Sequence, residues 1–336
     1  MIAGGLLAFG CGSRTGIDEL AAGGIGSSGS SGGVTTMGCG DGNGTPVVLT
    51  TTGPNQVIDL AVDATSLYWV DASGAVMRMS KCGGSATTIA SAGPYYGSSS
   101  GGSTGLAVDS ARVYVAGSAG DLFTVPLSGG APTTLVSTTN VLGLTVSGAD
   151  LYWVANPPTA PSIVGSVPVQ GGAPATLATA PPIAQGLPAV DDSSIYWVGN
   201  GIFSTPRAGG AVTTLAVAQQ PSAGLAIDDA NVYWCANSSQ ASVIMSTPKT
   251  GGPSVTLVPD QIGASQLATD GQNLYWTNPL AGAVMKVPVA GGSPVTIAVV
   301  SDPGAIVLDD TSVYWAQFTG ASAGPGTTSI MKLSPK

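Results

Sequence analysis

The chain from residue 45 onward consists of short apolar runs separated by turn residues. Runs such as Leu106-Ala107-Val108 and Ile306-Val307-Leu308 are each followed by an Asp and then by a second apolar run. Short runs rich in Val, Ile and Leu and bounded by turn residues predict β-strands rather than helices. We therefore expect an all-β protein.

An aromatic pair recurs along this pattern. Tyr114-Val115 fills one register of the repeat, and every Trp of the protein belongs to one of the other six. Those six are Tyr68-Trp69, Tyr152-Trp153, Tyr196-Trp197, Tyr233-Trp234, Tyr275-Trp276 and Tyr314-Trp315. The seven tyrosines follow one another at intervals of 37 to 46 residues, which is the spacing of propeller blades.

Each repeat carries two turn signals around this pair. A turn residue lies five positions before the Tyr, namely Asp63, Asp109, Ser147, Asp191, Asp228, Asp270 and Asp309. A Gly-Gly pair follows later in six repeats, beginning at Gly83, Gly129, Gly171, Gly209, Gly251 and Gly291. Glycine supplies the positive φ of tight hairpins, and an Asp side chain accepts hydrogen bonds from turn amides. The repeat therefore predicts four antiparallel strands per blade and a structural role for the Asp residues.

The two ends of the repeat region complement each other. The seventh repeat stops after its third strand, Ser329–Leu333, whereas residues 45–50 match a fourth strand such as the one that starts at Val295. We predict a seven-bladed β-propeller in which residues 45–50 complete the last blade. Closure of this kind leaves no long unpaired sheet edge between the first and last repeats.

Units of the form Leu-Ala-Val-Asp-x-x-x-x-Tyr-Trp-x-Asn/Asp resemble the Tyr-Trp-Thr-Asp propeller repeats of the LDL-receptor type. Leu274–Asn278 is the nearest match, and the resemblance covers residues 45 to 336. It implies a propeller fold. Propellers of that family usually have six blades rather than seven, and only Asp71 keeps an acid just after the motif, so the resemblance assigns no binding residues.

The first 44 residues lie outside the repeat. Residues 1–11 end in Cys11 after an apolar run and resemble a truncated or atypical lipoprotein signal, and residues 12–44 form a Gly/Ser-rich linker. This pattern predicts a protein of the bacterial cell envelope or a secreted protein, lipid-anchored if Cys11 is acylated. The alternative is an apolar N-terminus with an incidental cysteine.

Three further cysteines follow Cys11. Cys39 and Cys82 approach equivalent turns of neighbouring blades and are candidates for a disulfide, with two free thiols as the alternative. Cys235 lies within a predicted strand, where it is expected to be a small buried side chain.

The amino-acid composition limits the catalytic and metal-binding chemistry that this chain can support. The chain has no His, its only Glu is Glu19, and its formal net charge is −9. These features exclude His-dependent nucleophile systems and His-ligated metals, and they disfavour nucleic acid. We expect no catalytic residues, no cofactor, a monomer, and membrane contact only through an N-terminal lipid anchor. Paired acids at Asp191, Asp228 and Asp309 leave Ca²⁺ as a weak possibility.

The loops after the second and fourth strands vary in length, as binding loops on a rigid scaffold do. Their amides and aromatics form the candidate ligand-binding set Tyr95, Tyr96, Asn156, Asn200, Asn237, Asn278 and Phe318. The alternative is that the amides only cap turns. The hypothesis is a noncatalytic module that binds a neutral polar ligand such as a glycan, or a protein. A propeller lyase, lactonase or glycosidase using Asp is the enzymatic alternative, and a purely structural role the third.

Overall fold

A computed structural model describes residues 43–91, 105–117, 120–138, 140–157, 161–180, 185–217, 221–237, 242–261, 263–320 and 326–336. These residues form seven four-stranded antiparallel sheets, and the inner strand of each sheet contacts the inner strands of its two neighbours in a closed ring. The predicted seven-bladed β-propeller is confirmed. Among the described residues, no helix has the length and apolarity needed to cross a membrane.

The blades follow the order of the chain, and each runs from an inner to an outer strand. Blade 1 consists of β2 (Val57–Val62), β3 (Ser66–Asp71), β4 (Ala75–Ser80) and β5 (Thr87–Ser91). Blade 2 consists of β6 (Leu106–Val108), β7 (Arg112–Ala116), β8 (Leu122–Pro126) and β9 (Thr133–Val136). Blade 3 consists of β10 (Val141–Ser147), β11 (Asp150–Ala155), β12 (Ser162–Pro168) and β13 (Ala175–Ala180).

Blades 4 to 7 repeat this plan. Blade 4 consists of β14 (Gln185–Val190), β15 (Ser194–Val198), β16 (Gly201–Pro206) and β17 (Thr213–Val217). Blade 5 consists of β18 (Pro221–Ile227), β19 (Asn231–Asn237), β20 (Ser242–Pro248) and β21 (Val255–Gln261). Blade 6 consists of β22 (Leu267–Thr269), β23 (Asn273–Asn278), β24 (Ala283–Pro288) and β25 (Val295–Val299). Blade 7 consists of β26 (Pro303–Leu308), β27 (Val313–Thr319), β28 (Thr327–Leu333) and the N-terminal β1 (Val47–Thr52).

The ring closes through β1, as the sequence predicts. β1 pairs antiparallel with β28 and places Val47 opposite Lys332. The Thr52 hydroxyl donates to the Thr328 carbonyl at 3.1 Å, and the Gly44 amide donates to the Ser334 carbonyl at 3.1 Å. The strand runs from residue 47 to 52 rather than from 45 to 50, because Gly44 begins the turn before it.

The Tyr-Trp pair explains how neighbouring blades pack. Adjacent residues of a strand point to opposite faces of its sheet. The Trp of each pair is therefore buried against the preceding blade and the Tyr against the following one. Trp69, for example, packs beside Tyr314, and Trp234 packs beside Tyr196. At the junction of blades 1 and 2, Val115 stands where the other blades have Trp, opposite Tyr68. The Trp residues are packing residues, as predicted.

Close contact between inner strands requires glycine in some blades. A Cβ on Gly224 would lie 2.0 Å from the Ser265 carbonyl oxygen, and one on Gly143 would lie 2.6 Å from the Gly186 carbonyl oxygen. Asp59 occupies the equivalent position in blade 1, where its carboxylate accepts from the Leu106 amide at 2.9 Å. In blade 1, a buried carboxylate thus makes the contact with the next inner strand that the glycine backbone makes in blades 3 and 5.

This topology gives the ring two different faces. The turns after the first and third strands of each blade form one face, which we call the turn face. The connections after the second and fourth strands form the other, which we call the loop face.

Candidate functional site

The turn face is built around the repeated Asp. In blade 5, one carboxylate oxygen of Asp228 accepts from the amides of Ala230 and Asn231 at 2.8 and 2.7 Å. The other accepts from the Tyr233 hydroxyl at 2.6 Å. The same arrangement recurs at Asp63, Asp109, Asp191, Asp270 and Asp309. The prediction that these residues cap turns is confirmed, and each also fixes the Tyr of its blade.

The tyrosines of this face stay protonated far above neutral pH. Burial, reinforced by the adjacent Asp63 carboxylate, raises the pKa of Tyr68 to about 12. Burial and the Asp carboxylate of its own repeat likewise raise the pKa of each of Tyr114, Tyr233 and Tyr275. These hydroxyls are therefore permanent hydrogen-bond donors and not acid–base groups at physiological pH.

Lysines of the turn face tie one blade to the blade before it. Lys81 of blade 1 pairs with Asp309 of blade 7 at 2.7 Å, and Lys249 of blade 5 pairs with Asp191 of blade 4 at 2.8 Å. Burial alone would raise the pKa of Asp191, but the Lys249 ammonium and the turn amides outweigh it and lower that pKa to about 2. Lys336 reaches Asp270 in the same direction, at 3.4 Å.

Blade 3 shows how the network adapts where the Asp is absent. Ser147 replaces the acid, and Arg207 of blade 4 fills the space. The Arg207 guanidinium donates to the Tyr152 hydroxyl at 2.8 Å and to the Ser147 carbonyl at 3.0 Å. It also lies 5.2 Å from the centre of the Tyr152 ring, within the range of a cation–π contact.

Sequence reasoning missed this set of cations, although a signal was present. Lys81, Arg207 and Lys249 each lie two residues before a Gly-Gly pair. The turn that follows the third strand thus projects a cation toward the preceding blade.

Charge separates sharply between the two faces. Nine Lys and Arg occur in the chain, and one of them, Arg14, precedes residue 43. The other eight lie toward the turn face, in the turns or beside the repeated Tyr and Asp. The described part of the loop face carries only acids, among them Asp121, Asp260 and Asp302.

The loop face contains buried amides at the ends of second strands. Asn278 ends β23, is 3% exposed and donates its amide to Gln261 at 3.3 Å. Gln261 also accepts from the Trp276 indole N–H at 3.3 Å. The Asn278 side-chain oxygen is buried and has no hydrogen-bond partner. A buried amide with only one of its two ends satisfied is unusual, because each unmade hydrogen bond costs free energy.

The neighbouring blade repeats this feature. Gln317 follows Trp315 by two residues, as Asn278 follows Trp276. Its side-chain oxygen is also buried and without a partner. Asp71 has the equivalent position in blade 1, but its carboxylate accepts from the Ser73 and Ala75 amides at 2.9 and 3.1 Å. Among the described residues, the buried side-chain amide oxygens without partners therefore lie on blades 6 and 7.

Phe318 lies directly after Gln317 and is half-buried. Its ring rests on two glycines, since a Cβ on Gly320 or Gly326 would come within 2.5 or 2.1 Å of ring carbons. Of the predicted ligand-binding residues, Asn278 and Phe318 thus lie on adjacent blades of the loop face.

The other predicted site residues differ in their surroundings. The Asn156 side chain accepts from the Ser162 hydroxyl, and its backbone pairs with Asn140. These hydrogen bonds hold Asn156 within its own connection. Asn200 is exposed at the hairpin between β15 and β16. Asn237 ends β19, its side chain lies outside the described part, and Tyr95 and Tyr96 lie outside it entirely.

The predicted metal and cysteine features have the following positions. In the pairs of acids, the first Asp caps its turn and the second, Asp192, Asp229 or Asp310, is exposed. Within the described residues, no group of three or more His, Cys, Asp and Glu side chains could hold a metal ion.

Cys82 is disulfide-bonded, but its partner lies outside the described residues, so pairing with Cys39 stays a prediction. Cys235 is a small buried side chain, as expected, and its thiol donates to the Ser265 carbonyl at 3.5 Å.

Comparisons with known proteins define the class and no more. No model of a protein family matches the chain, and no curated protein matches it. Solved structures match over most of its length. A catalytically inactive histidine-to-alanine variant of virginiamycin B lyase from Staphylococcus aureus, with quinupristin, has a TM-score of 0.64 and 14% identity, covering 86% of this chain and 98% of that chain.

Two further matches support the same class. The WD40 β-propeller domain of Doa1 has a TM-score of 0.61 and 15% identity, covering 85% of this chain and 96% of that chain. BamB from Moraxella catarrhalis has a TM-score of 0.53 and 12% identity, covering 85% of this chain and 97% of that chain. At these identities the likeness shows a β-propeller fold alone. The resemblance to the Tyr-Trp-Thr-Asp family stays an expectation.

Proposed function

We propose that this propeller is a noncatalytic binding module whose loop face, at blades 6 and 7, takes a neutral polar ligand of the glycan type. The observation that carries the proposal is the pair of buried side-chain oxygens without partners, on Asn278 and Gln317. An unsatisfied buried acceptor costs about 1–3 kcal/mol. Ligand hydroxyl or amide donors that reach these oxygens would recover that free energy on binding.

The distribution of charge favours a neutral ligand over an anionic one. The described loop face offers acids and no Lys or Arg, so a uronate, phosphate or nucleic acid would meet repulsion without a compensating cation. Half-buried Phe318 adds an apolar ring at the same end of β27 as Gln317 but on the other face of the sheet, and apolar and amide groups together suit the mixed surface of a sugar.

Catalysis has less support. The chain has no histidine, its only glutamate is Glu19, and the repeated Asp residues are committed to turn amides and Tyr hydroxyls. Propeller hydrolases and lyases generally need His, Glu or a dense set of metal ligands. The likeness to a lyase rests on fold and carries no active-site residue to this chain.

Display at the cell envelope is part of the same proposal. It rests on the apolar segment before Cys11 and on the Gly/Ser-rich residues 12–44, which would hold the propeller away from a membrane. Metabolic labelling with a fatty-acid analogue tests it. Label that is incorporated by the parent chain and lost in Cys11→Ser supports a lipid anchor, and an unlabelled parent chain contradicts it.

The ligand is tested by thermal shift of the full chain against neutral oligosaccharides, with oligouronates of matched length as the anionic comparison. A ligand that binds only the folded state raises the melting temperature with its occupancy. We expect a shift with one neutral sugar class and none with the uronates. Asn278→Ala and Gln317→Ala should abolish the shift, whereas Gln272→Ala, an exposed amide of the turn face, should leave it unchanged.

Two results would overturn the glycan proposal. One is the absence of a shift with any neutral sugar. The other is a shift that persists in both Asn278→Ala and Gln317→Ala, which would place the ligand elsewhere on the ring.

A further inference from the structure

Gln261 is a buried amide that belongs to blade 5 but makes its contacts on blade 6. It ends the outer strand β21 and is 8% exposed, whereas Pro259 and Asp260 just before it are exposed. The backbone at Asp260 has a φ of 55°, a left-handed conformation that is uncommon for residues other than glycine. The strand thus changes course immediately before Gln261, whose side chain reaches Trp276 and Asn278.

The orientation of the Gln261 amide is fixed by two groups of opposite kind. Its nitrogen donates to the Pro259 carbonyl at 3.0 Å, and a carbonyl can only accept. Its oxygen accepts from the Trp276 indole N–H at 3.3 Å, and an indole N–H can only donate. Turning the amide over would set donor against donor and acceptor against acceptor. The Gln261 oxygen therefore faces blade 6.

This orientation decides which end of Asn278 remains for a ligand. The Gln261 oxygen needs a donor, so Asn278 offers it the amide nitrogen, at 3.3 Å. The Asn278 oxygen is left buried and without a partner. An Asn side chain that is free to turn can present either its nitrogen or its oxygen, whereas this one presents only an acceptor.

Packing of a blade does not require the hydrogen bond between Gln261 and the indole of Trp276. On blades 1, 4, 5 and 7 the equivalent indole nitrogens are buried and have no hydrogen-bond partner, namely those of Trp69, Trp197, Trp234 and Trp315. These blades fold with the indole unpaired. Stabilisation of the ring therefore does not by itself account for Gln261.

We propose that Gln261 is a positioning residue of the candidate site. It holds the Asn278 amide so that this point of the site accepts only a ligand group with a hydrogen to donate, a hydroxyl or an N–H. The inference rests on the proposed function, because it assigns the specificity of that same site. A ligand ether oxygen, carbonyl or fluorine would bring a second acceptor against the Asn278 oxygen and would be rejected.

Neutron diffraction from crystals of the deuterated full chain tests the orientation directly. We expect two deuterons on the end of the Asn278 amide that faces Gln261, and none on the other end. Deuterons on the opposite end would overturn the inference.

Calorimetric titration tests the specificity. The probes are the methyl glycosides of glucose, galactose, mannose and N-acetylglucosamine, each compared with derivatives in which fluorine replaces one hydroxyl. Fluorine is similar in size to a hydroxyl but has no hydrogen to donate. With the parent chain, one such replacement should weaken binding about tenfold or more, because a site that pairs with a hydroxyl rejects the analogue that lacks it.

Gln261→Met keeps the length of the side chain and releases the Asn278 amide to turn. The fluorine replacement that the parent chain rejects should then weaken binding about threefold or less. Asp260→Asn is the matched control, because it changes only the exposed neighbour of Gln261 and should keep the preference of the parent chain.

Two results of the titration would overturn the inference. One is a preference for the hydroxyl that is the same in Gln261→Met as in the parent chain, even if both variants bind more weakly. The other is the absence of such a preference, or of any binding of these glycosides, in the parent chain. The proposed function itself is decided separately, by the oligosaccharide screen.

Discussion

The two faces of the propeller are built from the same repeat but treat their polar groups differently. On the turn face, a single carboxylate such as that of Asp309 accepts from two turn amides, the Tyr314 hydroxyl and the Lys81 ammonium. On the loop face, Asn278 and Gln317 leave buried oxygens without partners. A fully satisfied face stabilises the scaffold, whereas an incompletely satisfied one is where function is to be sought.

The largest expected effect comes from breaking the turn face at Asp309. Asp309→Ala removes the cap of a turn, orphans the Tyr314 hydroxyl and leaves Lys81 without its partner at the junction that closes the ring. We expect a loss of about 2–4 kcal/mol in the free energy of unfolding, measured by urea denaturation.

Asp310→Ala is the matched control for this prediction. Asp310 is the next residue and is exposed, so its removal should change stability by less than about 0.5 kcal/mol. Equal effects of the two substitutions would show that the network around Asp309 does not hold the ring closed.

Acid should weaken the turn face next. The folded-state pKa values of Asp191, Asp270 and Asp309 are lowered, in spite of burial, by cations and turn amides. Because the folded pKa lies below the unfolded one, the stabilisation is complete above pH 3.8 and is lost as the pH falls toward about 2.

The measurement is the urea midpoint at a series of pH values. It should fall most steeply between those limits, and Asp191→Asn should flatten part of that fall. A midpoint that is constant down to pH 2, or the same slope in Asp191→Asn, would contradict the pairing with Lys249.

Much of the turn face could be predicted from the sequence because its signals are local. The Asp-to-Tyr spacing of five residues lies within one hairpin, so turn chemistry alone assigns the cap. The bonds from Lys81 and Arg207 to a preceding blade could not be derived in the same way. They join residues far apart in the chain, and only the closed ring brings those residues together.

The candidate site was less predictable for the same kind of reason. Asn156 lies three residues after its Trp and Asn278 lies two residues after its own, but spacing alone does not show which amide is left without a partner. Asn156 is held by Ser162 and Asn140, whereas Asn278 keeps an unpaired oxygen. Gln317 was not predicted because the candidate amides after the Tyr-Trp pairs were all Asn, whereas the last pair, Tyr314-Trp315, is followed by Gln.

The junctions between blades differ in whether a cation crosses them, and adding one where it is missing should give a smaller effect, an increase in stability. At the junction of blades 5 and 6, Val289 occupies the position two residues before Gly-Gly where Lys81, Arg207 and Lys249 lie in other blades. Val289→Lys should place an ammonium near Asp228 and raise the free energy of unfolding by about 0.5–1 kcal/mol, as judged by urea denaturation.

Leu127→Lys is the control for that gain. The junction of blades 1 and 2 is already crossed by Arg78, whose guanidinium donates to the Leu127 carbonyl at 3.2 Å. A second cation there adds repulsion, so we expect no gain. Equal stabilisation by both substitutions would point to a general effect of reducing net negative charge instead of a specific pair.

The smallest expected effect on stability lies on the loop face. Gln317→Met keeps the length of the side chain and removes a buried oxygen that has no partner, so the free energy of unfolding should change by less than about 0.5 kcal/mol. The same substitution should abolish the thermal shift caused by a bound sugar. A loss of stability comparable to that of Asp309→Ala would mean that Gln317 is a structural residue like those of the turn face. Unchanged stability with lost binding would separate the face that holds the ring from the face that recognises a ligand.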